Sequence, residues 1–95
     1  MVRVRTHPGE ILALEFMEPL GLSARAVAQA IRASGNRISD LVRARRDVSA
    51  DTAIRLGRYF GTGAQFWLNL QSAHDLSKAE RDNDYSEILP REAVA

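Results

Sequence analysis

The chain has no cysteine, one lysine and three prolines among its 95 residues. The missing thiols exclude a disulfide framework and a zinc–thiolate site, and they fit an intracellular protein. The two histidines, His7 and His74, stand far apart in the sequence. Neither has a second ligand at metal spacing, so no metal and no cofactor is expected. Apolar runs are a few residues long, against the roughly 20 a membrane-spanning helix needs. The basic start MVRVRTHPGE has no apolar segment behind it, so it is not read as a secretory signal. These absences predict a cytoplasmic protein with no membrane contact. Catalysis is not expected either. Ser23, Ser34, Ser39, Ser49 and Thr62 read as caps or helix-surface residues without a paired base, and Glu10, Glu15 and Glu18 lack a pocket to work in.

Hydrophobic content of 45% and charged content of 26% suit a folded domain rather than a disordered chain. Runs of β-branched residues are missing, and apolar spacing follows three and four, so the prediction is helical throughout. Met1–Thr6 reads as an extended arm. Helix one starts at His7-Pro8, presents Ile11, Leu12 and Phe16 inward, and stops near Pro19 with Gly21 in the turn. Ser23 caps helix two, where Val27, Ala28 and Ile31 form the buried stripe, and Ser34 caps helix three. Ser49 caps helix four, with Ala53, Leu56, Gly57 and Phe60 inward and Gly61 as a left-handed stop. Thr62 and Gln65 match a capping box opening helix five, anchored by Phe66, Trp67 and Leu70. Periodicity fades past Asp82. The expected organisation is therefore an all-α, five-helix domain over residues 1–82 and a polar tail over 83–95, with a short turn around Ile88-Leu89.

The segment SARAVAQAIRASGNRISDLVRARR, residues 23–46, carries the most information. Ile38, Leu41 and Val42 share one helical face and must point into a core, leaving polar residues on the opposite side. Two short helices joined by a corner, the second with an outward polar face, form a helix-turn-helix. Charge is distributed accordingly. Residues 25–58 hold eight arginines against three aspartates, whereas from His74 onward six acids face three bases. The middle is suited to phosphate, and the end is not. Base edges in the major groove are assigned to Asn36, Arg37, Ser39, Asp40 and Arg43, with Asn suited to adenine and Arg to guanine. Asp40 could accept from cytosine, but holding Arg37 or Arg43 in place is the favoured role. Phosphate contacts are assigned to Ser23, Arg25, Ser34, Arg45 and Arg46. Tyr59, Phe60, Phe66 and Trp67 read as core packing at helical spacing, not as a stacking platform for single strands.

Four segments carry a family resemblance: HPGEILALEF at 7–16, PLGLS at 19–23, NRISDLVRARR at 36–46, and SADTAIRLGRYFGTGAQFWLNLQ at 49–71. Over about residues 7–76 the chain resembles HigA-type antitoxins, a branch of the XRE family of phage-repressor-like helix-turn-helix proteins. The resemblance implies a lambda-repressor-like five-helix fold. It also implies a homodimer, a palindromic double-stranded operator near its own promoter, and neutralisation of a HigB-type toxin, a messenger-RNA endonuclease. Relatives usually have Gly and a bulky aliphatic residue at the corner where Arg32 and Ala33 stand here. After helix three they often have Asn-Gly-Lys-Arg in place of Arg43-Ala44-Arg45-Arg46. His74 stands where an aromatic is common.

Two other functions compete: a stand-alone XRE-family regulator without a toxin, and a protein-interaction module whose altered corner no longer reads DNA. For toxin contact the expectation falls on the acidic tail or the outer face of helix one, because a ribonuclease-like toxin should be basic.

Overall fold

The computed structural model of the chain describes residues 2–92 and contains five helices and no strand among them. Met1 of the expected arm and residues 93–95 of the expected tail lie outside the described residues. Helix α1 runs continuously through Pro8–Ile11, Leu12–Met17 and Glu18–Leu20. His7 caps it, its Nδ1 accepting the Gly9 N–H at 2.9 Å, and Pro8 occupies a first-turn position where its missing N–H costs nothing.

The middle stretch of α1 is a π-helix, closed by the Glu18 N–H donating to the Ala13 carbonyl. Pro19 explains the widening. In α geometry its ring would crowd the Glu15 carbonyl, and it has no N–H to donate. The helix thus passes Pro19 and ends at Gly21, in the left-handed region at φ 63°. The wider turn also rotates the buried face. Leu12 and Met17 are buried, whereas Ile11 and Phe16, expected inward, are only half-buried.

Helices α2 (Ala24–Ala30), α3 (Gly35–Val42) and α4 (Ala50–Phe60) each follow a serine whose hydroxyl accepts an N–H of the first turn. The pairs are Ser23 with Ala26, Ser34 with Arg37 and Ser49 with Thr52. Helix α5 spans Ala64–Asp82. It has no capping box: Thr62 donates instead to the Gly63 carbonyl, and Gln65 donates to Asn69. Packing decides this corner. Gly57 of α4 lies so close to Gly63 that a Cβ there would overlap the Gly63 backbone. The chain therefore enters α5 through Gly63 at φ 81°, a conformation that glycine adopts readily.

Helix α2 packs on α3, α4 on α5, and α1 on both α3 and α5. Leu12, Val27, Ile38, Leu41, Leu56 and Trp67 are fully enclosed between them. Each such side chain contributes on the order of 1.5–3 kcal/mol by leaving water. Trp67 packs with Phe16 and Phe66, ring centroids 5.1 Å away in each case. Phe66, expected as an anchor, keeps 37% of its surface exposed. Buried Gln71 joins α5 to the linker before α4, accepting the Val48 N–H at 2.7 Å. The N-terminal arm lies on α5, where Arg5 donates its N–H to Ser77 Oγ at 2.8 Å. His74 Nδ1 lies 2.7 Å from the Arg5 carbonyl, which can only accept, so the imidazole donates. Beyond Asp82, residues 83–92 form no regular element apart from a turn in which the Ile88 N–H donates to the Tyr85 carbonyl.

Candidate nucleic-acid interface

Helix α3 divides cleanly. Ile38 and Leu41 are fully buried and Val42 is half-buried, so the aliphatic side is packed away. Asn36 and Arg43 are exposed on the other side, with Arg37, Ser39 and Asp40 half-exposed between them. Asn36 and Arg37 occupy the first turn, next to the free N–H groups that give a helix start its positive end.

The two corners around α3 hold despite their residues. Arg32 takes a left-handed backbone at φ 56° and Ala44 does the same at φ 58°. A Cβ in that region costs roughly 1–2 kcal/mol. At the first corner Arg55 offsets the strain: its Nη1 donates to the Ile31 carbonyl at 2.9 Å and to the Arg32 carbonyl at 3.0 Å. At the second, the Ala44 N–H donates to the Leu41 carbonyl and the Arg45 N–H to the Asp40 carbonyl, closing the helix end. That turn folds Arg46 back toward α3, where its guanidinium lies 3.7 Å from Asp40. Asp40 therefore holds Arg46, not Arg37 or Arg43.

Arg37 is engaged elsewhere. Its Nη1 donates to Asp51 Oδ2 of α4 at 2.6 Å, and the same oxygen accepts from Arg55 Nε at 2.9 Å. These two guanidinium groups, Arg37 first, hold the Asp51 carboxyl below the usual carboxylate range. Ser39 donates back to the Gly35 carbonyl at 3.2 Å, so outwardly its hydroxyl can only accept. The Ser23 and Ser34 hydroxyls accept from their own helices and keep a proton to donate outward. Arg25, Arg43 and Arg45 are exposed. Between α2 and α3 runs a shallow groove lined by Ala24, Arg25, Ala28, Gln29, Ala33 and Ser39.

Three features escaped the sequence. Asp51 and Arg55 could be read only as an i,i+4 pair on α4; nothing local ties them to Arg37 or to the corner. Gln29 at the groove had no signal beyond its polarity. His7 and His74, distant in sequence, pack edge to face with ring centroids 4.9 Å apart. Burial, and then the neighbouring His74, push the His7 imidazole below its ordinary value. Among the described residues no helix is long and apolar enough to cross a membrane.

No protein-family model matches the chain. Its similarity to individual proteins is extensive. It is 53% identical over 83 residues to virulence-associated protein I of Dichelobacter nodosus, covering 87% of this chain and 77% of that protein. The fold matches PA4674 of Pseudomonas aeruginosa, solved in complex with its operator DNA, with a TM-score of 0.89 and 47% identity. That match covers 96% of this chain and all of the other. A Pseudomonas aeruginosa antitoxin HigA solved with the higBA promoter gives a TM-score of 0.85 and 49% identity, covering 90% of this chain and 96% of that one.

Proposed function

The chain belongs to the HigA-type antitoxins of the XRE helix-turn-helix family, and from that premise we propose that it binds an operator at its own promoter as a homodimer, represses its operon and neutralises a HigB-type toxin. The observation carrying this reading is α3 itself, with its aliphatic side enclosed and Asn36, Arg37 and Arg43 on its outer surface. Asn36 and Arg37 read base edges, Ser39 and Asp40 flank them, and Arg43 extends the contact along the groove. Ser23, Arg25, Ser34, Arg45 and Arg46 meet phosphates on either side. The protein acts in the cytoplasm, without catalysis. Residues 1–82 form the DNA-binding and dimerising domain and 83–95 form a tail with a separate task. The altered corner gives no ground for a module that has lost DNA binding, since Arg32 keeps the left-handed turn.

Titration against the duplex upstream of its own reading frame, over a range of salt, tests the proposal. Binding should weaken steeply as salt rises. Arg37→Ala should lose about 5- to 100-fold discrimination at one base position. Arg45→Ala should weaken all sequences evenly and shallow the salt slope by about one unit. Salt-independent binding, or identical behaviour of the two variants across single-base substitutions, would refute this assignment of roles.

A further inference from the structure

We infer that Asp51 is a positioning residue for sequence readout: it holds the Arg37 guanidinium by one edge so that the remaining donors face a guanine in a set direction. The inference rests on Arg37 reading a base. A free arginine samples many rotamers, and its fork reads guanine only when both donors arrive in one plane. Here only Nη1 is committed, at 2.6 Å to Asp51 Oδ2, and no other side-chain donor of Arg37 is hydrogen-bonded among the described residues. Asp51 is itself fixed by Arg55 Nε at 2.9 Å, and Arg55 is anchored on the Ile31 and Arg32 carbonyls. A continuous relay thus runs from the corner of the helix-turn-helix through α4 to the first turn of α3.

The charge of Asp51 argues against a simple affinity role. A carboxylate beside a phosphate-binding surface repels DNA of every sequence, so its removal alone should tighten binding evenly. The benefit of keeping it must therefore appear in discrimination, and the two effects have opposite signs.

Asp51→Ala, Arg37→Ala and the double variant, first matched for thermal midpoint, are titrated against the upstream duplex and its single-base substitutions. Asp51→Ala should lose about three- to tenfold discrimination at the position read by Arg37. Other positions should keep theirs, and non-cognate duplex should bind equally or more tightly. In the Arg37→Ala background the Asp51 change should have no further effect on that position. Asp51→Asn, which preserves shape, should show a smaller loss in the same direction and serves if the alanine variant melts early. Unchanged or improved discrimination at that position, or an even loss at all positions, would overturn the inference while leaving Arg37 as a reader. If Arg37→Ala alone left the whole panel unchanged, the reading of Arg37 would fail and the inference with it.

Discussion

Gly9 and Gly35 show how differently one residue type can be constrained around a single helix. Gly9 starts α1 against the last turn of α3, and a Cβ there would overlap the Leu41 carbonyl oxygen. A backbone carbonyl in a helix cannot swing aside, so the two helices would have to separate. Gly9→Ala should therefore cost at least about 2 kcal/mol, the range for overpacking a well-filled site, read as a lower urea midpoint at unchanged m-value. Around Gly35, by contrast, a Cβ would meet nothing within 4 Å. Gly35→Ala should leave stability unchanged or raise it by about 0.5 kcal/mol through helix propensity, read as an equal or higher midpoint. Equal midpoints for the two variants would show that α1 and α3 are not in the close contact described. Arg32 is a third kind of constraint. Its left-handed backbone carries strain, and Arg55 makes that strain tolerable by satisfying two carbonyls at the corner.

At the scale of the element, α1 depends on an ionisable cap. His7 Nδ1 accepts the Gly9 N–H at 2.9 Å, which only an unprotonated Nδ1 can do. Its Nε2 lies 3.6 Å from Asp47 Oδ1, and this exposed carboxylate favours the charged ring without outweighing burial. His74 and Asp75 also act on the ring, but burial dominates and the folded pKa is lowered. The unfolded chain then binds the proton more readily. The stability from this cap is fully present above the ordinary histidine value near 6.5 and is lost as pH falls below it toward the lowered folded pKa. Thermal midpoints should thus drop as pH falls below about 6.5 in the parent protein and fall less in His7→Asn, where an amide oxygen keeps the cap without titrating. Parallel pH curves for the two proteins would show that another group sets the acid limb. The serine caps of α2, α3 and α4 were legible in the sequence because a hydroxyl and an N–H three residues on interact locally. So were the buried stripes of α2 and α4. The π turn before Pro19 and the glycine opening of α5 were not, because each answers to a neighbour that periodicity does not encode. The same limit applied to the interface. The outer face of α3 follows from its buried one, but the link from Arg37 to Asp51 requires knowing where α4 crosses.

At the scale of the whole molecule, charge separates the middle of the chain from its C-terminal end. The surplus of arginine falls over residues 25–58, the stretch that contains α3, while Asp82, Asp84, Glu87 and Glu92 fall toward the C-terminal end. Helix α5 closes on its own first flanking residue: Asn83 donates both its backbone N–H and its side-chain Nδ2 to the Ala79 carbonyl, at 3.0 and 3.1 Å. Beyond it the hydrogen bonds are local, with the Ser86 N–H donating to Asp84 and the Ile88 N–H to Tyr85. Ile88 and Leu89 stay three-quarters exposed among acids, a combination suited to a basic partner with an apolar trough rather than to DNA. Removing Asp84–Ala95, three residues of which lie outside the described range, should therefore change stability by no more than about 0.5 kcal/mol. Operator affinity should stay level or rise slightly as negative charge leaves. Neutralisation of the cognate toxin, followed as growth of cells expressing toxin and truncated protein together, should be lost. If growth is protected as well as by the full chain, the toxin surface lies elsewhere, and the outer face of α1, where Leu14 and Glu15 are exposed, becomes the place to substitute next.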